Sequence, residues 1–214
     1  MDNTQRLRLI LITDRKIAPL PLIETVRLAL EGGVTAVQLR ENDLDSKNLF
    51  FLARELRELT SHHGAALIIN DRVDIALATV ADGVHLGRHS MPLSTVKKLL
   101  GLPASGRIVG FSAHNMQEAV GAEEGGADYI TLSPMFRTNP SKGMPIGPRA
   151  ISLVKEHVRI PVIALGGIKE DNATEVLENK ADGLAVISAI VGQRDPKAKA
   201  QGLRKAVDSW FSKK

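Results

Sequence analysis

Cysteine is absent from the 214 residues. That excludes a disulfide framework, a thiolate nucleophile and cysteine-ligated zinc, and it fits a cytoplasmic location. Aromatic residues make up only 3%, with one Trp and one Tyr. Nucleic-acid surfaces need clustered cations and stacking rings. Here the basic residues are scattered, apart from residues 197–214, so no nucleic-acid partner is expected. No apolar run approaches the roughly 20 residues of a membrane helix, and the opening MDNTQRLRLILITD lacks the apolar core of a signal peptide. No membrane partner is expected either. Two catalytic fingerprints are also missing: GxGxxG after the first strand, and GxSxG. Acyl transfer is therefore disfavoured. The net charge of +4 is mild and suits a small anionic ligand.

What remains is a repeating pattern. Short apolar runs at residues 7–14, 35–40, 65–70, 83–86, 107–111, 129–132, 161–165 and 183–187 read as strands. Helical spacing fills the intervals at 22–30, 46–62, 73–78, 93–100, 115–124, 150–157, 172–179 and 196–211, with Ser46 as the expected N-cap of the second helix. Apolar runs of this kind suit strands buried on both faces of a parallel sheet. Eight strands in strict alternation with eight helices predict a (β/α)8 TIM barrel, α/β in class, as a single domain over residues 1–214. A hydrophobic content of 43% supplies one core of that size. Four helix-to-strand junctions rhyme: EGGVTA at 31–36, VADG at 80–83, GGADY at 125–129 and KADG at 180–183.

In such a barrel the chemistry lies at the C-terminal ends of the strands. Gln38 and Arg40 are two apart and share one strand face, while Val37 and Leu39 share the other. An inward Gln and Arg would need polar partners or a ligand; for Arg40 the competing reading is a salt bridge to a neighbouring helix. Asn70, Asp71 and Arg72 follow the third strand. Asp71 either caps the helix that begins at Val73 or offers its carboxylate to Mg²⁺. His85 lies inside an apolar strand and reads as structural, whereas His89 and His114 fall in turns. Ser112 ends the fifth strand, and Thr138, Asn139, Ser141 and Lys142 lie in the long loop after the sixth. Gly166-Gly167 and Ser188-Ala189 follow the seventh and eighth strands, the positions at which barrel backbones bind phosphate. The inventory is anion-binding groups with one metal carboxylate and no nucleophile, which suits loss of a phosphate or pyrophosphate group.

QLRENDL at 38–44, INDR at 69–72, ADGVHLG at 81–87, GFSAH at 110–114, GADY at 126–129, SPMF at 133–136, PVIALGGI at 161–168 and SAI at 188–190 occur in order. Together these segments resemble the thiamin phosphate synthase/TenI family, over about residues 9–190. The resemblance implies a transferase of thiamine biosynthesis that couples hydroxymethylpyrimidine diphosphate to thiazole phosphate and releases pyrophosphate with Mg²⁺. It implies that Gln38 and Arg40 hold the diphosphate, Asn70 the pyrimidine and Asp71 the metal. Ser112 would meet the diphosphate, with Arg40, Lys142 and Ser112 as the catalytic set. Thr138, Ser141 and Lys142 would contact thiazole phosphate or the leaving group, and Gly167, Ile187 and Ser188 would cradle the thiazole phosphate. Asn42 occupies the diphosphate-lysine position of the family's QxRxK pattern. Ser90 replaces the second metal aspartate of GQED, and the TxTK loop is one residue longer at 138–142. Pro134 stands where TenI-type tautomerases have a catalytic histidine. The resemblance therefore points to a divergent synthase, with a tautomerase using His89 or His114, or a non-enzymatic thiamin-phosphate binder, as the alternatives. A homodimer is compatible with each.

Overall fold

Eight parallel strands close into one ring in the computed structural model, which describes residues 3–138 and 144–213. In chain order the elements are α1 Asn3–Arg6, β1 Leu9–Ile12, α2 Leu22–Glu31, β2 Ala36–Leu39, α3 Ser46–His62, β3 Ala66–Asn70, α4 Val73–Ala78, β4 Gly83–Leu86, α5 Leu93–Leu99, β5 Ile108–Ala113, α6 Met116–Glu124, β6 Tyr129–Leu132, α7 Arg149–Lys155, β7 Val162–Leu165, α8 Ala173–Glu178, β8 Gly183–Val186 and α9 Pro196–Phe211. Each strand pairs with the next, and β8 returns to β1 with Leu9 opposite Leu184. The (β/α)8 barrel expected from the alternation is the fold, with α1 as one helix more than the pattern predicts.

The apolar runs are continuous because each strand is covered on both sides. Val37, Leu39, Leu67 and Ile69 face outward into the layer packed under the helices. Ile10, Ile12, Ala36, Ala66, Ile68, Tyr129, Ile163 and Ala185 form a second cluster inside the ring. Most strands are shorter than their apolar runs, because the ladder ends before the hydrophobic pattern does. β4 and β6 match their runs, and β5 runs on to Ala113, so Ser112 lies within the strand. The cap of α3 is Asp45, whose carboxylate accepts from Asn48 N at 2.8 Å, and Ser46 is the first helical residue.

The four rhyming junctions share one geometry. Thr35 Oγ1 accepts from Leu9 N at 2.9 Å, and Asp82 Oδ2 from Leu67 N at 2.8 Å. Asp128 Oδ2 accepts from Val109 N at 2.7 Å, and Asp182 Oδ2 from Val162 N at 2.8 Å. Near the start of every odd-numbered strand, a side chain from the next strand's entry thus satisfies a backbone donor that would otherwise be buried unpaired. Two residues before each of these side chains the chain turns left-handed, at Gly33, Val80, Gly126 and Lys180, with φ of 98°, 51°, 87° and 71°. Val80 is the worst suited, since a β-branched side chain at positive φ is strained. It is also 69% exposed, so its side chain packs little. Val80→Gly is expected to raise unfolding free energy by about 0.5–1 kcal/mol, the relieved strain exceeding the added chain entropy of glycine; urea unfolding measures it.

Candidate functional site

The inner face of β2 leads to the barrel mouth. Gln38 sits level with Ile12 and Ile68 in the strand register and is 3% exposed. Among the described residues its amide makes no hydrogen bond, so it stays available to a ligand at the barrel mouth. Arg40, two residues further on, is exposed and has no carboxylate partner among the described residues. The alternative of a salt bridge to a helix is thereby removed. The next residue, Glu41, is buried, and its carboxylate accepts from Arg15 N and Arg15 Nη1, both at 3.0 Å. That clamp, invisible in the sequence because the partners lie 26 residues apart, fixes the loop that carries Asn42.

Arg40, Asn42, Asn70, Asp71, Ser90 and Ser112 line one cleft of about 710 Å³ at the C-terminal ends of β2 to β5. Asp71 has φ 64°, a strained conformation for a residue with a side chain and one that concentrates at functional sites. Its backbone is tied down at both ends: Asp71 N donates to His85 O at 2.9 Å, and Val73 N donates to Asp71 O at 3.1 Å. The carboxylate itself is exposed and makes no hydrogen bond among the described residues; its charge is felt by the neighbouring Arg72 guanidinium. The cap position of α4 falls on Arg72, with no side-chain capping bond. Asp71 is therefore not a helix cap.

Behind Ser112 lies a buried polar group. His85 Nε2 is 2.9 Å from Ser112 Oγ and 3.3 Å from Thr131 Oγ1, and its Nδ1 is 3.0 Å from Tyr129 Oη. Burial, reinforced by the nearby Arg40 guanidinium, pushes the imidazole down to about 3, so it is neutral at physiological pH. Burial likewise pushes the Tyr129 phenol up, with the Asp128 charge adding to the shift, so the hydroxyl keeps its proton.

Across the mouth, Gly166 and Gly167 have φ of 101° and 70°. A Cβ on Gly167 would lie 2.8 Å from Phe136 Cβ, and one on Gly166 would lie 2.9 Å from Pro134 Cα. Both glycines are therefore required by the turn, whatever binds there. The N–H groups of Gly167, Ile168, Ser188 and Ala189 donate to no protein oxygen among the described residues. Ile187 is half-buried beside the inner cluster, Ser188 is exposed, and Thr138 Oγ1 is buried without a partner among the described residues. These positions are not among the residues lining the 710 Å³ cleft; they follow β6, β7 and β8, and the β7 and β8 turns lie across the mouth from β3 and β4. Ser141 and Lys142 lie outside the described residues.

A sequence model described as thiamine monophosphate synthase matches residues 9–190. The chain belongs to that family. It is 41% identical over 209 residues to a thiamine-phosphate synthase of Pyrococcus furiosus, covering 97% of this chain and 98% of that one. It is 45% identical over 189 residues to a thiamine-phosphate synthase of Moorella thermoacetica, covering 87% and 89%. Among solved structures it superposes with a TM-score of 0.90 on the thiamine phosphate pyrophosphorylase of Pyrococcus furiosus, at 40% identity, covering 97% of this chain and 98% of that one.

Within this thiamine monophosphate synthase family member the positions that depart from the family pattern are easily located. Asn42 is exposed at the cleft wall. Ser90 Oγ accepts from Gly87 N at 2.8 Å and so closes its own turn. Arg88 lines the cleft but donates to Glu118 at 2.8 Å, and the same carboxylate holds His114 N at 2.9 Å and His114 Nδ1 at 3.0 Å. Arg88 and His114 are thus already engaged on the rim. Among the described residues no cluster of three or more metal-ligating side chains occurs, and no helix is long and apolar enough to cross a membrane.

Proposed function

We propose that this protein is a thiamine-phosphate synthase, joining hydroxymethylpyrimidine diphosphate to thiazole phosphate with release of pyrophosphate. The observation that carries the reading is the cleft, where Arg40, Asn70, Asp71 and Ser112 converge at the barrel mouth. Arg40 and the Ser112 hydroxyl bind the diphosphate, Asn70 orients the pyrimidine, and the unpaired N–H groups after β7 and β8 take the thiazole phosphate. The bond from the pyrimidine methylene carbon to the diphosphate oxygen breaks, its electron pair leaving with oxygen. The thiazole nitrogen lone pair then forms the new C–N bond. The protein's part is to hold both reactants in line and to meet the charge that grows on the leaving oxygen.

The single unpaired carboxylate of Asp71 fits Mg²⁺, which takes one or two protein carboxylates and completes its shell with water and phosphate oxygens. Bound there, the ion would neutralise diphosphate charge. Incubating the purified protein with both substrates and Mg²⁺ and measuring pyrophosphate tests the proposal; no pyrophosphate above the single-substrate controls would overturn it.

Asn42→Lys with Ser90→Asp adds one cation to the cleft wall and one carboxylate at the metal side. An aspartate at 90 can accept from Gly87 N with one oxygen and offer the other. Both groups act on charge that develops as the C–O bond breaks, so the double variant is expected to raise kcat about tenfold or more with a smaller change in KM. Steady-state kinetics with each substrate varied in turn separate the two parameters.

A further inference from the structure

We infer that Tyr129 and His85 form a one-way hydrogen-bond relay that fixes Ser112 as an obligatory donor towards the cleft, making both of them positioning residues for the anion bound there. The inference rests on the proposed function only in taking that anion to be a diphosphate. Tyr129 is 1% exposed, and His85 Nδ1, at 3.0 Å, is the hydroxyl's sole hydrogen-bond partner among the described residues. Two buried hydroxyls face the ring, Tyr129 Oη at 3.0 Å from Nδ1 and Thr131 Oγ1 at 3.3 Å from Nε2, and a neutral imidazole accepts from only one of them; the shorter contact and the more acidic phenol make Tyr129 Oη the donor and Nδ1 the acceptor. With Nδ1 accepting, the ring proton is on Nε2. Nε2–H donates to Ser112 Oγ at 2.9 Å, with Thr131 Oγ1 at 3.3 Å as a weaker second acceptor. Ser112 Oγ thus has an acceptor site filled from behind, and its own proton points elsewhere. Ser112 lines the cleft. A hydroxyl whose orientation is set before the ligand arrives costs no reorganisation when charge develops.

Gly110 supplies an independent geometric sign that the pair is built in. A Cβ at that position would lie 2.2 Å from Tyr129 Cζ and 2.5 Å from His85 Nδ1. The strand between them carries no side chain where the two rings meet.

The tautomer can be read directly. In ¹⁵N-labelled protein the His85 imidazole is expected to show a protonated Nε2 and an unprotonated Nδ1; the reverse assignment overturns the relay, whatever the enzyme's activity. Tyr129→Phe removes the donor and frees Nδ1 to take the proton. Ser112 then donates to Nε2 rather than to the cleft. The affinity for inorganic pyrophosphate with Mg²⁺ is expected to fall about tenfold in Tyr129→Phe and about as much in Ser112→Ala. The double variant is expected to bind no more weakly than Ser112→Ala alone, because Tyr129 acts through Ser112. Additive losses, or unchanged binding in a folded Tyr129→Phe protein, would overturn the inference. If Tyr129→Phe does not fold, the tautomer measurement on the unaltered protein still decides.

Discussion

Asp71→Asn is expected to lower Mg²⁺-dependent pyrophosphate release by at least about 100-fold, the scale of one lost electrostatic group in an active site. The melting temperature should stay within about 2 °C. The two expectations have separate physical causes. The carboxylate is exposed and makes no hydrogen bond with any described residue, so folding loses only a solvent-screened attraction to Arg72 with the charge. The backbone at φ 64° is the part that folding uses, and asparagine is among the few residues that tolerate this region. Asn keeps the shape and removes the negative charge that draws the ion. Kinetics at rising Mg²⁺, paired with thermal unfolding, distinguish the cases. A several-degree loss of stability with intact turnover would make Asp71 a structural residue, against the placement of its side chain.

Gly110→Ala is expected to destabilise the protein by about 3 kcal/mol, lowering the melting temperature by roughly 6–12 °C. The added methyl would lie 2.2 Å from a carbon of the Tyr129 ring and 2.5 Å from His85 Nδ1, two rigid rings sealed inside the barrel. Neither ring can rotate clear without displacing its neighbours in a close-packed interior. Activity is expected to fall as well, since the displaced imidazole no longer lies behind Ser112. Gly121→Ala provides the comparison within the same measurement. That glycine lies in α6, and a Cβ there meets nothing within 4 Å. It should stabilise the protein by up to about 1 kcal/mol by removing helix-breaking freedom. Equal melting temperatures for the two variants would show that the inner rings yield to the methyl.

The barrel was legible because its strands are buried on both faces, which leaves unbroken apolar runs such as those ending at Ile12 and Ile69. The junction rhyme was legible too, as a repetition, although its purpose needed the bonds from Thr35, Asp82, Asp128 and Asp182. Gln38 and Arg40 could be placed on one face because strand periodicity is strict. Three features of the site were beyond sequence reasoning. The positive φ of Asp71 has no marker, since glycine does not stand there. The buried clamp of Glu41 by Arg15 spans two strands. The polar group around His85 draws Ser112, Tyr129 and Thr131 from 27 to 46 residues away, and an imidazole flanked by Val84 and Leu86 gives no sign of which neighbours it meets. Asp71 and the turns after β7 and β8 were visible as residue types; that they lie on opposite sides of the mouth was not.

The pairing of β8 with β1 also sets an order of events during synthesis. Leu9 lies opposite Leu184, and Leu184 N donates to Arg8 O at 3.0 Å, so one edge of the first strand is completed only when the eighth strand has been made. At ribosomal speeds of about 5–20 residues per second, that edge waits roughly 10–35 s for its partner. Throughout that interval the nascent chain carries an apolar strand with a row of unpaired amides, the form most prone to join a neighbouring chain. The end of α9 then closes over the beginning, with the Arg8 guanidinium 3.3 Å from the centre of the Phe211 ring. A polypeptide released before β8 would have no means of covering that edge.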